Sequence, residues 1–108
     1  MEFRDTLVPG TLDVLMLRII SQGPIHGWGI AQRLKLLSRE VLQVNQGSLY
    51  PALHKLEAGG WISAEWKATE EGRQAKFYAL TGTGKQRLAE EQARWTRLAA
   101  AMEWVLNS

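Results

Sequence analysis

Leu49, Ala52, Leu53 and Leu56 stand at i, i+3, i+4 and i+7, and Gly59-Gly60 cuts the pattern off just before Trp61-Ile62. That spacing puts the four apolar residues on one face of a short helix. At about 100° per residue, the opposite face is centred on Gly47, Pro51, His54 and Ala58, with Tyr50 and Lys55 on its flanks. This face is small, weakly charged and nearly free of carboxylates, whereas a solvated helix face normally alternates its charges. A surface of that kind can come close to a polyanion. It is followed at once by two extended stretches joined by a basic turn, so any fold must set this helix beside a hairpin.

The remaining elements are read from periodicity and punctuation. A first helix is expected from about Thr11 to Gln22; Leu12, Leu15, Met16, Ile19 and Ile20 form one stripe, while Val14 and Leu17 point elsewhere. A helix apolar on nearly all sides is buried between two partners, one being the domain's own core and the other expected to be a second subunit. Gly23-Pro24 ends it, and Gly27 turns the chain into a second helix, about Trp28 to Leu37, with Ile30, Leu34 and Leu37 inward. The third helix is expected to start near Asn45 to Ser48; Pro51 argues for the later start, because with Ser48 as N-cap it falls in the first turn, where its missing N–H costs little. Gly59 is the expected left-handed cap. Trp61 to Trp66 reads as a strand in which Ile62, Ala64 and Trp66 alternate against Trp61, Ser63 and Glu65. Lys76 to Leu80 reads as its partner across a polar loop from Lys67 to Ala75. Thr81 is a good N-cap for a last helix, about Gly82 to Leu106. Residues 1–80 are thus expected to form one three-helix domain with a wing, and 81–108 a helix added to it, the whole one structural unit.

That last helix carries a second regularity. Leu88, Gln92, Trp95, Ala99, Met102 and Leu106 are spaced 4, 3, 4, 3 and 4, a heptad seam widened by Leu98 and Val105. A helix with so complete a seam on a small domain is expected to pair with a copy of itself through Leu88, Trp95, Leu98, Ala99, Met102 and Leu106. Trp104 lies on the opposite side, and Phe3 or Leu7 is its expected contact. Trp95 has two readings: core packing in the seam, or, facing its own copy across a two-fold axis, one half of a clamp for a flat ligand.

With 108 residues, the chain is one domain that gains from dimerisation. It has no cysteine, which excludes disulfides and thiolate zinc sites and fits a reducing cytoplasm. The first residues lack the apolar stretch of a signal peptide, and no run of about 18 apolar residues could span a bilayer, so no membrane partner is expected. A net charge of +2 permits nucleic-acid binding without requiring it, since affinity follows where the charge sits.

Three helices followed by a two-stranded wing is the winged helix-turn-helix order: mainly α with a small two-stranded β wing, plus a long C-terminal dimerisation helix. In that arrangement the second helix of the turn motif enters the major groove of double-stranded DNA. Tyr50, His54 and Lys55 can hydrogen-bond base edges or phosphates, Pro51 and Ala52 offer apolar contact to thymine methyls, and Gly47 lets the backbone approach a phosphate. The wing contributes Lys67, Arg73 and Lys76, while Glu70 and Glu71 resist phosphate, so only the later half of the loop should touch DNA. Thr81-Gly82-Thr83-Gly84-Lys85 fails as a phosphate-binding loop twice: Ala79 stands where the pattern needs Gly, and Gln86 where it needs Ser or Thr. His26 and His54 lack carboxylates at metal-ligand spacing, and no serine sits on a Gly-x-Ser-x-Gly elbow. His26, in a Pro/Gly turn, reads as a packing or capping residue. Catalysis, metals and cofactors are not expected.

The residues also resemble a known family. Gly10-Thr11-Leu12-Asp13-Val14-Leu15, Gly23-Pro24-Ile25-His26-Gly27-Trp28-Gly29-Ile30, the block from Gly47 to Glu57, Gly72-Arg73-Gln74-Ala75-Lys76-Phe77-Tyr78 and Leu80-Thr81-Gly82-Thr83-Gly84 are similar to PadR-type transcriptional regulators. The likeness is to the short subgroup whose single C-terminal helix makes the dimer, and it runs in order through nearly the whole chain. It implies a bacterial cytoplasmic homodimer that represses genes by binding a pseudo-palindromic operator, often relieved by a small effector. It implies DNA contacts at Ser48, Tyr50, Pro51, His54 and Lys55 on the third helix and at Arg73 and Lys76 on the wing. It also implies a small planar aromatic effector at Trp95. Gln74 stands where the family often has a second Arg, and Ala79 where a polar or basic residue is common; both imply a thinner phosphate grip. The competing reading is a winged-helix module whose third helix docks on protein, and Arg73 and Lys76 beside a carboxylate-poor face weigh against it.

Overall fold

The computed structural model describes residues 10–108. The order is α1 (Thr11–Ile20), β1 (Ile25–His26), α2 (Gly27–Leu37), α3 (Gln46–Ala58), β2 (Ile62–Ala68), β3 (Gln74–Leu80) and α4 (Gly82–Leu106). The strands form one antiparallel sheet in the order β1-β3-β2. The wing therefore has a third, two-residue strand, which registers Ile25 with Tyr78 and His26 with Phe77.

α1 is the central helix. Val14, Met16, Leu17, Ile19 and Ile20 are all buried, because α2, α3, α4 and β3 all pack on it. The second partner that its all-round apolar surface demands is thus found within the chain, largely in α4, and a second subunit is not needed to cover it. Ile30 and Leu34 of α2, Leu49, Leu53 and Leu56 of α3, Ile62, Tyr78 and Leu88 complete the core. Leu37, expected inward, is exposed at the end of α2.

α3 begins earlier than its proline suggests. Asn45, not Ser48, is the N-cap: its side-chain oxygen accepts from the Ser48 backbone N–H at 2.9 Å. Pro51 therefore lies inside the helix, where its ring denies the Gly47 carbonyl an intrahelical partner. At the other end the left-handed residue is Gly60 (φ 81°), while Gly59 stays right-handed (φ −77°). The Trp61 N–H reaches Leu56 O at 3.1 Å and the Gly60 N–H reaches Glu57 O at 3.0 Å, a Schellman closure displaced one residue from the expected cap.

α4 is placed by a cap and a close approach. Thr81 Oγ1 accepts from the Gly84 N–H at 3.0 Å and donates to Gly60 O at 2.7 Å. A Cβ at Gly84 would lie 2.0 Å from the Trp61 carbonyl oxygen, so this glycine lets the helix start against the strand. Arg87 then holds α4 to α1 through Asp13 at 3.5 Å and stacks its guanidinium 4.1 Å from the Trp61 ring centroid. Beyond this anchored half the helix runs clear of the body, and the molecule measures 54 × 30 × 20 Å.

The expected contact of Trp104 with Phe3 or Leu7 lies outside the described residues; Trp104 itself is exposed. No helix among the described residues is long and apolar enough to cross a membrane.

Candidate nucleic-acid interface

The outer face of α3 is exposed at Gly47, Tyr50, Pro51, His54, Lys55 and Ala58, with Ser48 half-buried in the first turn. Its inner face is the buried Leu49, Leu53 and Leu56 stripe, so the core fixes which side chains point outward. The first carboxylate along the helix is Glu57, and it does not stand free: Lys76 Nζ donates to Glu57 Oε1 at 2.9 Å. That hydrogen bond is the main reason the Lys76 ammonium is held above its ordinary 10.5, with burial opposing it. The Lys76 ammonium also lies 5.7 Å from the Tyr78 ring centroid. Burial is in turn the main cause that pushes the Tyr78 phenol above its ordinary 10.0.

The wing is longer than its polar loop suggests. Pairing continues through Lys67↔Ala75 and Ala68↔Gln74, leaving a turn between Thr69 and Arg73. Thr69 N–H donates to Arg73 O at 2.6 Å, Arg73 N–H donates to Thr69 Oγ1 at 3.2 Å, and Gly72 takes a positive φ of 86°. The tight turn closed by Gly72 carries main-chain pairing outward past the last core residue of the strands.

Register decides what the wing shows to α3. Ile62↔Leu80, Ala64↔Tyr78 and Trp66↔Lys76 share one face of the sheet. Near the body that face closes the core at Ile62 and Tyr78; farther out the same parity carries Trp66 into solvent, 67% exposed. The result is a groove of about 810 Å³ between α3, the wing and the start of α2, whose lining includes Tyr50, His54, Trp28, Trp66, Arg73 and Lys76. Glu71 also lines it, beside Arg73. Gly27 makes one wall possible, since a Cβ there would lie 2.7 Å from Tyr50 ring atoms. His26 supports another: its Nδ1 accepts from the Gly29 N–H at 3.0 Å as the cap of α2, and its ring meets Phe77 edge-on at 5.2 Å. On the outer face of the wing Lys67 lies over the Phe77 ring at 5.2 Å.

Of the sequence-predicted residues, Tyr50, His54, Arg73 and Lys76 share the groove, while Ser48, Pro51 and Lys55 lie on the exposed helix surface or its first turn. Trp28 and Trp66 were missed as groove residues. Trp66 could have been found by extending its strand's alternation past the core; Trp28 gives no local signal.

The seam on α4 divides in two. Leu88, expected between subunits, is 7% exposed and belongs to the chain's own core, because α4 begins packed against α1. Trp95 is half-buried against the same core. Leu98, Ala99, Met102, Val105 and Leu106 are exposed on the protruding half, forming an apolar surface without an intrachain partner among the described residues.

Comparison with known proteins agrees with this arrangement. The model of the transcriptional regulator PadR-like family matches residues 16–90. Transcriptional regulator Rv3488 of Mycobacterium tuberculosis is 33% identical over 84 residues, 78% of this chain and 75% of its own. Among solved structures, smu.1704 from Streptococcus mutans UA159 superposes with a TM-score of 0.81 at 28% identity, covering 90% of this chain and 87% of that one. A PadR-like transcriptional regulator from Bacillus cereus does so with a TM-score of 0.80 at 27% identity, covering 92% and 94%.

Proposed function

The chain belongs to the PadR-like family of transcriptional regulators, and from that premise we propose that it is a repressor that binds a pseudo-palindromic operator as a homodimer. It is a regulator, not an enzyme. In this reading α3 enters the major groove of double-stranded DNA and presents Tyr50, Pro51, His54 and Lys55 to base edges, with Ser48 at its first turn against a phosphate. Arg73 and Lys76 on the wing hold the flanking backbone. The observation that carries the reading is the groove between α3 and the wing, in which Tyr50 and His54 face Arg73 and Lys76. The sole carboxylate on that side of α3 is already neutralised by Lys76.

The apolar surface at Leu98, Ala99, Met102 and Leu106 supports pairing of α4 with a second copy, which would set two α3 helices about one turn of DNA apart. The dimer then brings the half-buried Trp95 near its own copy, where two indoles can hold a small planar effector. Such a ligand relieves repression only if it prefers a dimer geometry that separates the two reading helices.

The test is electrophoretic mobility shift on the duplex upstream of the protein's own gene, with salt titration and planar aromatics as competitors. Salt-sensitive, saturable binding is expected. Binding that is absent, or indifferent to salt, would contradict the DNA-binding reading and favour a protein-docking module. Saturable quenching of tryptophan fluorescence by a planar aromatic, lost in Trp95→Ala, is expected of the effector site. A Trp95→Ala dimer that is merely less stable, with no aromatic bound by the wild type, would make Trp95 core alone.

A further inference from the structure

Two tryptophans of the groove have no role in this contact set. Trp28, 64% exposed, stands in the first turn of α2; Trp66, 67% exposed, stands across from Lys76 on the wing. Both line the groove that also holds Tyr50, His54, Arg73 and Lys76. Neither is needed for the core, which closes at Ile30, Ile62 and Tyr78. Two indoles lining one groove form a shared apolar surface, the kind that marks an interaction site.

We propose that Trp28 and Trp66 grip the deoxyribose edge of the DNA strand seated in this groove, supplying a part of the affinity that salt does not screen. The proposal rests on the DNA-binding reading above and adds to it the chemistry of the groove walls. A nucleic-acid strand alternates anionic phosphates with sugars whose C–H edges are apolar. The groove offers both complements: Arg73 and Lys76 for phosphate, and two indole faces for sugar. Bases in a duplex stay stacked and paired, so their faces are closed to indoles, which can pack instead on the sugar edge of the strand. Trp28 is steadied by the His26 ring, 6.3 Å away, which is itself packed on Phe77. Trp66 is fixed by the register that sets it beside Lys76, so one cation and one indole reach the strand from neighbouring positions. The occupant is continuous with the face of α3 that reads DNA, and its charge matches Arg73.

The experiment measures operator affinity against salt for wild type, Trp28→Ala, Trp66→Ala and the double variant, with thermal melts to confirm folding. Each substitution should weaken binding roughly tenfold, what burying on the order of 50 Å² of apolar surface is worth. The log–log salt slope should stay unchanged, because no counterion release is lost. Trp28→Phe and Trp66→Phe should restore most of the affinity. Operator binding at wild-type strength by the folded double variant would overturn the proposal, as would a loss confined to the slope. A planar aromatic that quenches the wild type but not the double variant, with DNA affinity unaltered by either substitution, would overturn it in favour of a small-ligand site. Failure of the wild type to bind any duplex would instead remove the DNA-binding reading and this proposal with it.

Discussion

Arg73 and Lys76 lie three positions apart on the wing, yet their charges face different surroundings. Arg73 is exposed beside Glu71, whereas Lys76 already holds the Glu57 carboxylate at 2.9 Å. That pairing was not legible in the sequence, because 19 residues separate the partners and only the fold, which packs β2 on α3 and pairs β3 with β2, joins them. A lysine that has its counterion in the protein releases less from DNA, so Lys76→Ala should lower the salt slope less than Arg73→Ala. Glu57→Gln should free the ammonium, steepening the slope by up to about 0.9 per subunit and tightening binding at low salt; a slope unaltered by Glu57→Gln would show that Lys76 does not meet phosphate. The Lys76 ammonium keeps its charge throughout the physiological range. The folded-state pKa of Lys76 is raised, so its contribution to stability is present below 10.5 and lost as pH rises through the higher folded value. His54 differs in kind from both cations. Exposed at the centre of the α3 face, it should set base preference at one position, and His54→Ala should cost about 1–3 kcal/mol there. Selection from a randomised duplex library checks this; weakening that is uniform across sequences would make His54 a phosphate contact.

Among the elements, the helices were legible because their apolar residues recur every three to four positions, and β2 because Ile62, Ala64 and Trp66 alternate. β1 was not, since two residues carry no period; it forms because β3 offers an open edge. α3 starts at the earlier end of the Asn45–Ser48 range and not at the later end that Pro51 favours, because the cap at Asn45 offsets the proline's cost by satisfying the Ser48 N–H. The Thr81–Lys85 segment shows how a glycine pair can resemble a phosphate loop yet serve packing. Gly84→Ala would press a Cβ onto the Trp61 carbonyl, a backbone atom that cannot turn aside. A loss of about 1–3 kcal/mol in denaturant unfolding is expected, as for overpacked cores. Unfolding at the wild-type midpoint would show that α4 can shift off β2 without cost.

For the whole molecule, α4 links two parts of different character. Its first half completes the body through Leu88 and Arg87, and its second half leaves it bearing Leu98, Met102 and Leu106. The heptad spacing alone could not divide the helix so, because burial within the chain and burial between chains leave the same periodicity. Met102 is 51% exposed in the single chain, so Met102→Asp should leave the fold intact while placing a carboxylate in the proposed dimer seam. Sedimentation should show monomer, and operator affinity should collapse because two half-sites are no longer held together. A wild type that is monomeric at micromolar concentration would contradict the paired helix. The claim on which the rest depends is that a DNA strand lies between α3 and the wing. It is tested most directly by the slope of log Kd against log salt for wild type and Arg73→Ala on one operator duplex. Loss of one phosphate contact per subunit predicts a slope smaller by about 0.9, or about 1.8 for a dimer on two half-sites. Identical slopes would contradict it.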